Sequence, residues 1–201
     1  MSVGVDSWEP LHVEEVGELF TEASFKWWIS GGHALDLYLG GRGRQHDDLD
    51  VGICRHQAPA VHTWLREWDL WVAAAGALSS WKGRPLKIEK DENNVWARRS
   101  PQHPWAFDLA VNECTEDEWV YRRDPSVVRR WQAAVLEGPS GIPYLAPELQ
   151  LLFKSERLRS KDHDDARRVI PAMGHQRRVW LSDHLGPDHP WQEMIRGTDG
   201  A

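Results

Sequence analysis

Apolar residues at Leu11, Val13, Val16, Leu19 and Phe20 recur at helical spacing, so the pattern predicts a helix over 11–23, with Asp6 or Ser7 and Pro10 as start signals. Phe25 to Ile29 is short and aromatic-rich, which fits a first strand, and Gly31-Gly32 breaks it. A short amphipathic helix through Ala34–Leu39 ends at Gly40-Gly41, and residues 48–54 form a second strand. A helix over 59–67 and a third strand over 68–74 precede a turn at Gly83-Arg84-Pro85. Further strands are expected over 86–89, 94–98, 105–111 and 119–122. Asp124-Pro125, Gly138-Pro139 and Gly141 to Pro143 interrupt the middle of the chain. Beyond Pro147 the pattern turns helical, with helices over 149–159, 162–173 and 175–185, and Asp162 reads as an N-cap. The expected class is α+β. A small mixed β-sheet core flanked by helices spans 1–144, and a C-terminal helical subdomain spans 145–201.

Composition narrows this picture only modestly. The chain has 201 residues, 41% hydrophobic and 27% charged, enough to bury a core. A formal net charge of −7 argues against a general nucleic-acid binder, although arginines cluster locally, for instance at 42–44 and 122–123. The thirteen tryptophans are expected mainly in the core or at interfaces, with some free to wall a pocket. Cys54 and Cys114 have no paired spacing, so neither a disulfide framework nor a zinc site is expected. Without a signal-type or membrane-length apolar run, the chain reads as cytoplasmic, with no membrane partner.

The chemistry concentrates between Ser30 and Ile53. Alternation along a strand puts Asp48 and Asp50 on one face while Leu49 and Val51 enter the core. Two carboxylates side by side suit Mg²⁺, which takes oxygen ligands and shares them with phosphate. Asp108, the one charge in the apolar run Trp105–Val111, is the best third ligand and Glu113 the weaker one, whereas Asp47 faces away. Gly31 and Gly32 allow a phosphate to approach the backbone at the start of a helix. Ser30 adds a hydroxyl and Arg44 a cation for phosphate oxygens. The cluster His163-Asp164-Asp165 opens a helix and reads as capping rather than metal-binding.

Trp28-Ile29-Ser30-Gly31-Gly32-His33-Ala34-Leu35-Asp36, then Leu39-Gly40, then Arg44-Gln45-His46-Asp47-Asp48-Leu49-Asp50 resembles the signature of the DNA polymerase β-like nucleotidyltransferase superfamily. It is most similar to the aminoglycoside (2″-hydroxyl) and lincosamide enzymes, in which the residue after the glycines is aromatic; here it is His33. Tyr144-Leu145-Ala146-Pro147-Glu148-Leu149, Leu152-Phe153-Lys154 and Arg159-Ser160-Lys161-Asp162 with Asp165 resemble the family's C-terminal helices, while 54–104 matches poorly. The resemblance implies a nucleotidyltransferase core with metal ligation by Asp48, Asp50 and Asp108, and Ser30 and Arg44 on the nucleotide. It also implies Lys154 on the triphosphate, His46 orienting the Asp48 loop, and Asp108, Glu113 or Glu148 as general base.

The function expected is transfer of a nucleoside monophosphate, AMP from ATP, to a hydroxyl of a small acceptor such as an aminoglycoside or lincosamide antibiotic, with two Mg²⁺ ions. Two alternatives stay open. One is a toxin-like nucleotidyltransferase acting on tRNA or protein; the other is a non-catalytic nucleotide-binding protein of the same fold.

Overall fold

The structure is a computed structural model that describes residues 7–41, 43–138 and 140–198. Asp6, Arg42 and Pro139 lie outside the described residues. In chain order the elements are α1 (Val13–Phe20), β1 (Trp27–Ile29), α2 (Gly31–Tyr38), β2 (Asp50–Cys54), α3 (Ala58–Trp64), β3 (Asp69–Ala74), β4 (Ala77–Ser80), β5 (Asn94–Arg98) and β6 (Phe107–Cys114). They continue with β7 (Glu118–Val120), β8 (Val128–Arg130), α4 (Trp131–Ala134), β9 (Val135–Glu137), β10 (Pro143–Leu145), α5 (Pro147–Lys154), α6 (Ser160–Val169), α7 (His175–His184) and α8 (Trp191–Gly197).

The strands form a mixed sheet ordered β4-β3-β5-β6-β2-β1-β10-β9, with β7 on the far end of β6 and β8 on β7. The β2–β6 and β1–β10 pairs are parallel. In the first, Asp50 stands opposite Asp108 and Cys54 opposite Asn112. The core fills both sides of this centre: Leu49, Val51, Ile53, Leu109 and Val111 are all fully buried, as are Phe20, Trp28 and Leu35. Each such aliphatic side chain contributes about 2 kcal/mol of burial free energy. Gly52 is obligatory for this packing, because a Cβ there would run into the Trp28 indole. No helix among the described residues is long and apolar enough to cross a membrane.

Several expectations need correction. The run 86–89 is not a strand; a 3-10 turn occupies Ile88–Lys90, and Asp91 follows in the left-handed region. The helix expected over 149–159 stops at Lys154, and residues 155–159 link it to α6. Asp162 is not the N-cap of α6. It sits three residues inside and accepts the backbone N–H of the true N-cap, Arg159, at 3.2 Å. The short β8, β9 and β10, α4 and the terminal α8 have no strong periodic signal, being three to seven residues long. Cys54 and Cys114 are bonded as a disulfide, contrary to expectation, with Cα atoms 5.6 Å apart. Parallel registration brings them together: Cys54 stands opposite Asn112, and Cys114 is the next residue on that face of β6.

The change from strands to helices falls where the periodicity changes, since β10 ends at Leu145 and α5 begins at Pro147. Helix α5 is clamped by Glu148, which is fully buried and accepts from Arg129 at 2.9 Å and from Arg177 at 2.6 and 2.7 Å. A buried carboxylate shared by two guanidiniums is costly to break, because removing it strands both cations. Glu148→Gln is expected to cost about 3 kcal/mol of stability, read as a lowered denaturation midpoint at unchanged slope.

Candidate active site

A cleft of about 370 Å³ opens over the first residues of β2 and β6, against α2 and α5. Its floor carries Asp48, Asp50 and Asp108; Ser30, Gly31 and Gly32 form one lip; Arg44, Lys154, Arg159 and Lys161 form the wall beside it. The expected metal ligands Asp48, Asp50 and Asp108 and the expected nucleotide contacts Ser30, Gly31, Gly32, Arg44 and Lys154 therefore line one cavity. Asp48 lies two residues outside β2, yet the alternation holds, because Leu49 is fully buried and Asp48 and Asp50 both face the cleft. Asp47 is exposed and does not line it.

Gly31 has φ +66°, and a Cβ on it would fall inside the Asp50 carboxylate. That close approach explains the glycine. The Gly31 amide, expected to face phosphate, is instead engaged by Gln150 Oε1 at 2.9 Å, which ties the lip to α5. Ser30 donates its N–H to the Asp50 carbonyl at 2.9 Å.

The electrostatics of the floor are those of carboxylates short of positive charge. Burial, then Asp48, pushes the Asp50 pKa up to about 6. Burial, then Asp50, raises that of Asp108 well above the usual carboxylate range. One Asp108 oxygen accepts from Asn94 at 2.6 Å, and the other, Oδ1, is buried with no hydrogen-bond partner among the described residues. An orphaned oxygen beside a second carboxylate fits a hard divalent cation. Among the described residues no three His, Cys, Asp or Glu side chains close on a point as a ready-made cage. Mg²⁺ takes one or two carboxylates and completes its shell with water and phosphate, so the Asp50–Asp108 pair is the relevant unit.

The cations beside the floor are held by buried acids of α6. Lys154 Nζ lies 3.0 Å from Asp165 and 3.3 Å from Asp162. Arg44 bonds Asp165 at 3.1 and 3.3 Å, and Arg159 Nε bonds Asp162 at 2.8 Å. Asp162 and Asp165 are at most 1% exposed. Asp165 is thus the counterion of two cleft cations rather than a helix cap. Its spacing from Asp162, i and i+3, was the available signal. His163 accepts from the Trp191 indole and takes no part in the cleft.

His46 bonds Asp36 at 2.5 Å, and Arg168 bonds the other Asp36 oxygen at 3.1 Å, so the loop that leads from His46 to Asp48 is tied to α2. Glu113 pairs with Arg55 at 2.5 Å and Glu148 with its two arginines; neither lines the cleft, which removes both as general-base candidates. Sequence reasoning missed Gln150, Asn94, Asn112 and Arg122 as lining residues.

A glycine lip, register-paired carboxylates and a wall of anchored cations on a mixed sheet define a nucleotidyltransferase. A lincosamide antibiotic adenylyltransferase, LnuA, solved with lincomycin, has this fold at TM-score 0.55 and 18% identity, covering 86% of this chain and 100% of that one. ANT(2″)-Ia, solved with adenylyl-2″-tobramycin, has it at TM-score 0.56 and 12% identity, covering 86% and 95%. No curated protein sequence matches. The model of the aminoglycoside-2″-adenylyltransferase family matches residues 12–169, and the chain belongs to that family.

His33, where the resemblance has an aromatic residue, packs its ring 4.3 Å from that of His46 at a tilt of 45° and lines a neighbouring hollow rather than the carboxylate cleft. Burial, then His46, lowers its pKa from 6.5 to about 4, so at neutral pH it is an uncharged ring. The unfolded chain takes up this proton near pH 6.5 and the folded chain only near 4. Stability from this group is therefore complete above 6.5, falls as pH drops towards 4, and changes no further below. His33→Phe is expected to lose about 1 kcal/mol less than wild type between pH 7 and pH 5, allowing for solvent screening of a half-buried ring. Paired denaturant titrations at the two pH values measure this difference.

Proposed function

We propose that the protein transfers AMP from ATP to a hydroxyl group of a small acceptor of the antibiotic class, releasing pyrophosphate. The observation that carries the reading is the Asp50–Asp108 pair, opposed in register across β2 and β6, with Asp108 Oδ1 unpaired on the floor of the cleft. Asp50, Asp108 and Asp48 would hold Mg²⁺, which when bound supplies charge neutralisation at the reacting phosphate and an acidified acceptor oxygen.

In the reaction, the acceptor oxygen forms a bond to the α-phosphorus. The bond from that phosphorus to the bridging oxygen of the β-phosphate breaks, and the electron pair leaves with pyrophosphate. The hydroxyl proton goes to one of the cleft carboxylates. Lys154, Arg44, Arg159 and Lys161 are placed to take the triphosphate's charge. Lys154 and Arg44 are already fixed by Asp165, so little side-chain ordering remains for binding. The departure at His33 does not argue against turnover, because its ring lies off the cleft.

The test is label transfer from α-³²P-ATP across a panel of aminoglycosides, lincosamides and bulk tRNA. Asp50→Asn and Asp108→Asn are each expected to lower kcat/KM at least a thousandfold with the unfolding midpoint kept or raised, since each removes a repelling charge. Chelation of divalent cations should abolish transfer and Mg²⁺ restore it. Full activity in either variant would sink the reading.

A further inference from the structure

The cleft extends well past its carboxylates. Asp108, Ala110 and Asn112 all line it, and alternate residues of a strand share a face. The floor therefore runs along β6 for roughly 13 Å from Asp108 to Asn112. At the far end the walls are Arg122, Arg123 and Phe153. Arg122 is half-buried and lies 5.4 Å from the Phe153 ring. Among the described residues it makes no ion pair. Arg123 is occupied by Glu156 at 3.3 Å, and Arg55 by Glu113. Burial and the neighbouring Arg123 both lower the Arg122 pKa, and Asp91, the acid that acts on it, is exposed.

Among the described residues the acids that line the cleft are Asp48, Asp50, Asp108 and Asp162. The first three are the candidate metal ligands, and the fourth is bound to Lys154 and Arg159. None is left to meet a polycationic acceptor. A triphosphate has its own cations at the glycine end, and adenine and ribose carry no negative charge. The guanidinium at the far end therefore calls for an anion brought by the second substrate.

We propose that the far end of the cleft is the acceptor subsite, and that Arg122 selects a small hydroxylated acceptor carrying one phosphate or carboxylate group over polycationic aminoglycosides. This rests on the transfer reading for the presence of an acceptor, and it narrows that acceptor from the antibiotic class at large to molecules that carry an anion. The overall charge of −7 and the cleft volume of about 370 Å³ favour a small anion over a nucleic acid.

The test separates the two readings by measuring binding apart from turnover. The whole protein, saturated with Mg²⁺ and the non-transferable α,β-methylene-ATP, is titrated calorimetrically with glucose 6-phosphate, glucose, inorganic phosphate and tobramycin. Glucose 6-phosphate is expected to bind at least tenfold tighter than glucose, with tobramycin weakest and inorganic phosphate competing. Arg122→Ala should erase the preference and Arg122→Lys retain part of it, both with the affinity for the methylene analogue within twofold of wild type. Equal binding of glucose and its phosphate overturns the proposal. So does tobramycin binding tightest, or a tenfold loss of nucleotide affinity in Arg122→Ala, which would give the guanidinium to the nucleotide. Salt-steep displacement by bulk tRNA overturns it in favour of a nucleic-acid acceptor. Anion selectivity without AMP transfer to any acceptor would leave the subsite standing and defeat the transfer reading instead.

Discussion

The parallel pairing of β2 with β6 is the constraint on which the rest depends. It alone brings Asp50 and Asp108, fifty-eight positions apart, to adjacent strand positions. A one-residue slip would put a carboxylate where an aliphatic side chain is now buried. Val51, Ile53, Leu109 and Val111, all fully buried, hold the register. At about 2 kcal/mol each, their burial offsets the repulsion between two acids whose proton affinities both rise on folding. Gly31 and Gly52 are the backbone's part of the same arrangement. The first lets the lip approach the Asp50 carboxylate, and the second lets Trp28 pack under β2.

How far the sequence revealed this depended on whether the signal was local. Periodicity found α1, α2, β2, β3, β5 and the first three helices after Ala146, α5 to α7, because each is a run of alternating or helical burial. It missed β8, β9 and β10, three residues each, whose strand character comes from their neighbours in the sheet. The carboxylates were legible because Asp48-Leu49-Asp50 is a local motif and Asp108 is a charge in an apolar run. The disulfide was not, since pairing Cys54 with Cys114 requires knowing that β2 and β6 are neighbours in that register. Lys154 was reached through the family pattern. What fixes it, Asp162 and Asp165, looks from sequence like a pair of capping residues, because a helix start is where acids are ordinarily found.

Net charge misdescribes the cleft for a related reason. Many acids of this chain are spent as buried counterions: Glu148 takes Arg129 and Arg177, Asp36 takes His46 and Arg168, Asp165 takes Lys154 and Arg44, and Asp162 takes Lys154 and Arg159. Each removes charge from water without making its surroundings acidic. The net figure then reflects the exposed acids, while the cavity presents the cations that Asp162 and Asp165 hold.

That division bears on how tightly an anion can be gripped. A flexible lysine or arginine loses rotamer freedom when it binds, at about 0.5–1.5 kcal/mol per side chain. Lys154 and Arg44 have already lost it to Asp165, which is 1% exposed and cannot swing away. The same acid lowers the attraction that the pair exerts on a further anion. The arrangement therefore exchanges strength for placement, which suits a group that must hold a triphosphate in line and then release pyrophosphate. Arg122 is built the other way. It is half-buried, stacked near Phe153 and without an anionic partner among the described residues, so its full charge stays available at the end of the cleft farthest from the carboxylates. Fixed charge beside the carboxylates and unneutralised charge away from them are what a two-substrate cleft would require if one ligand had to be positioned and the other chosen.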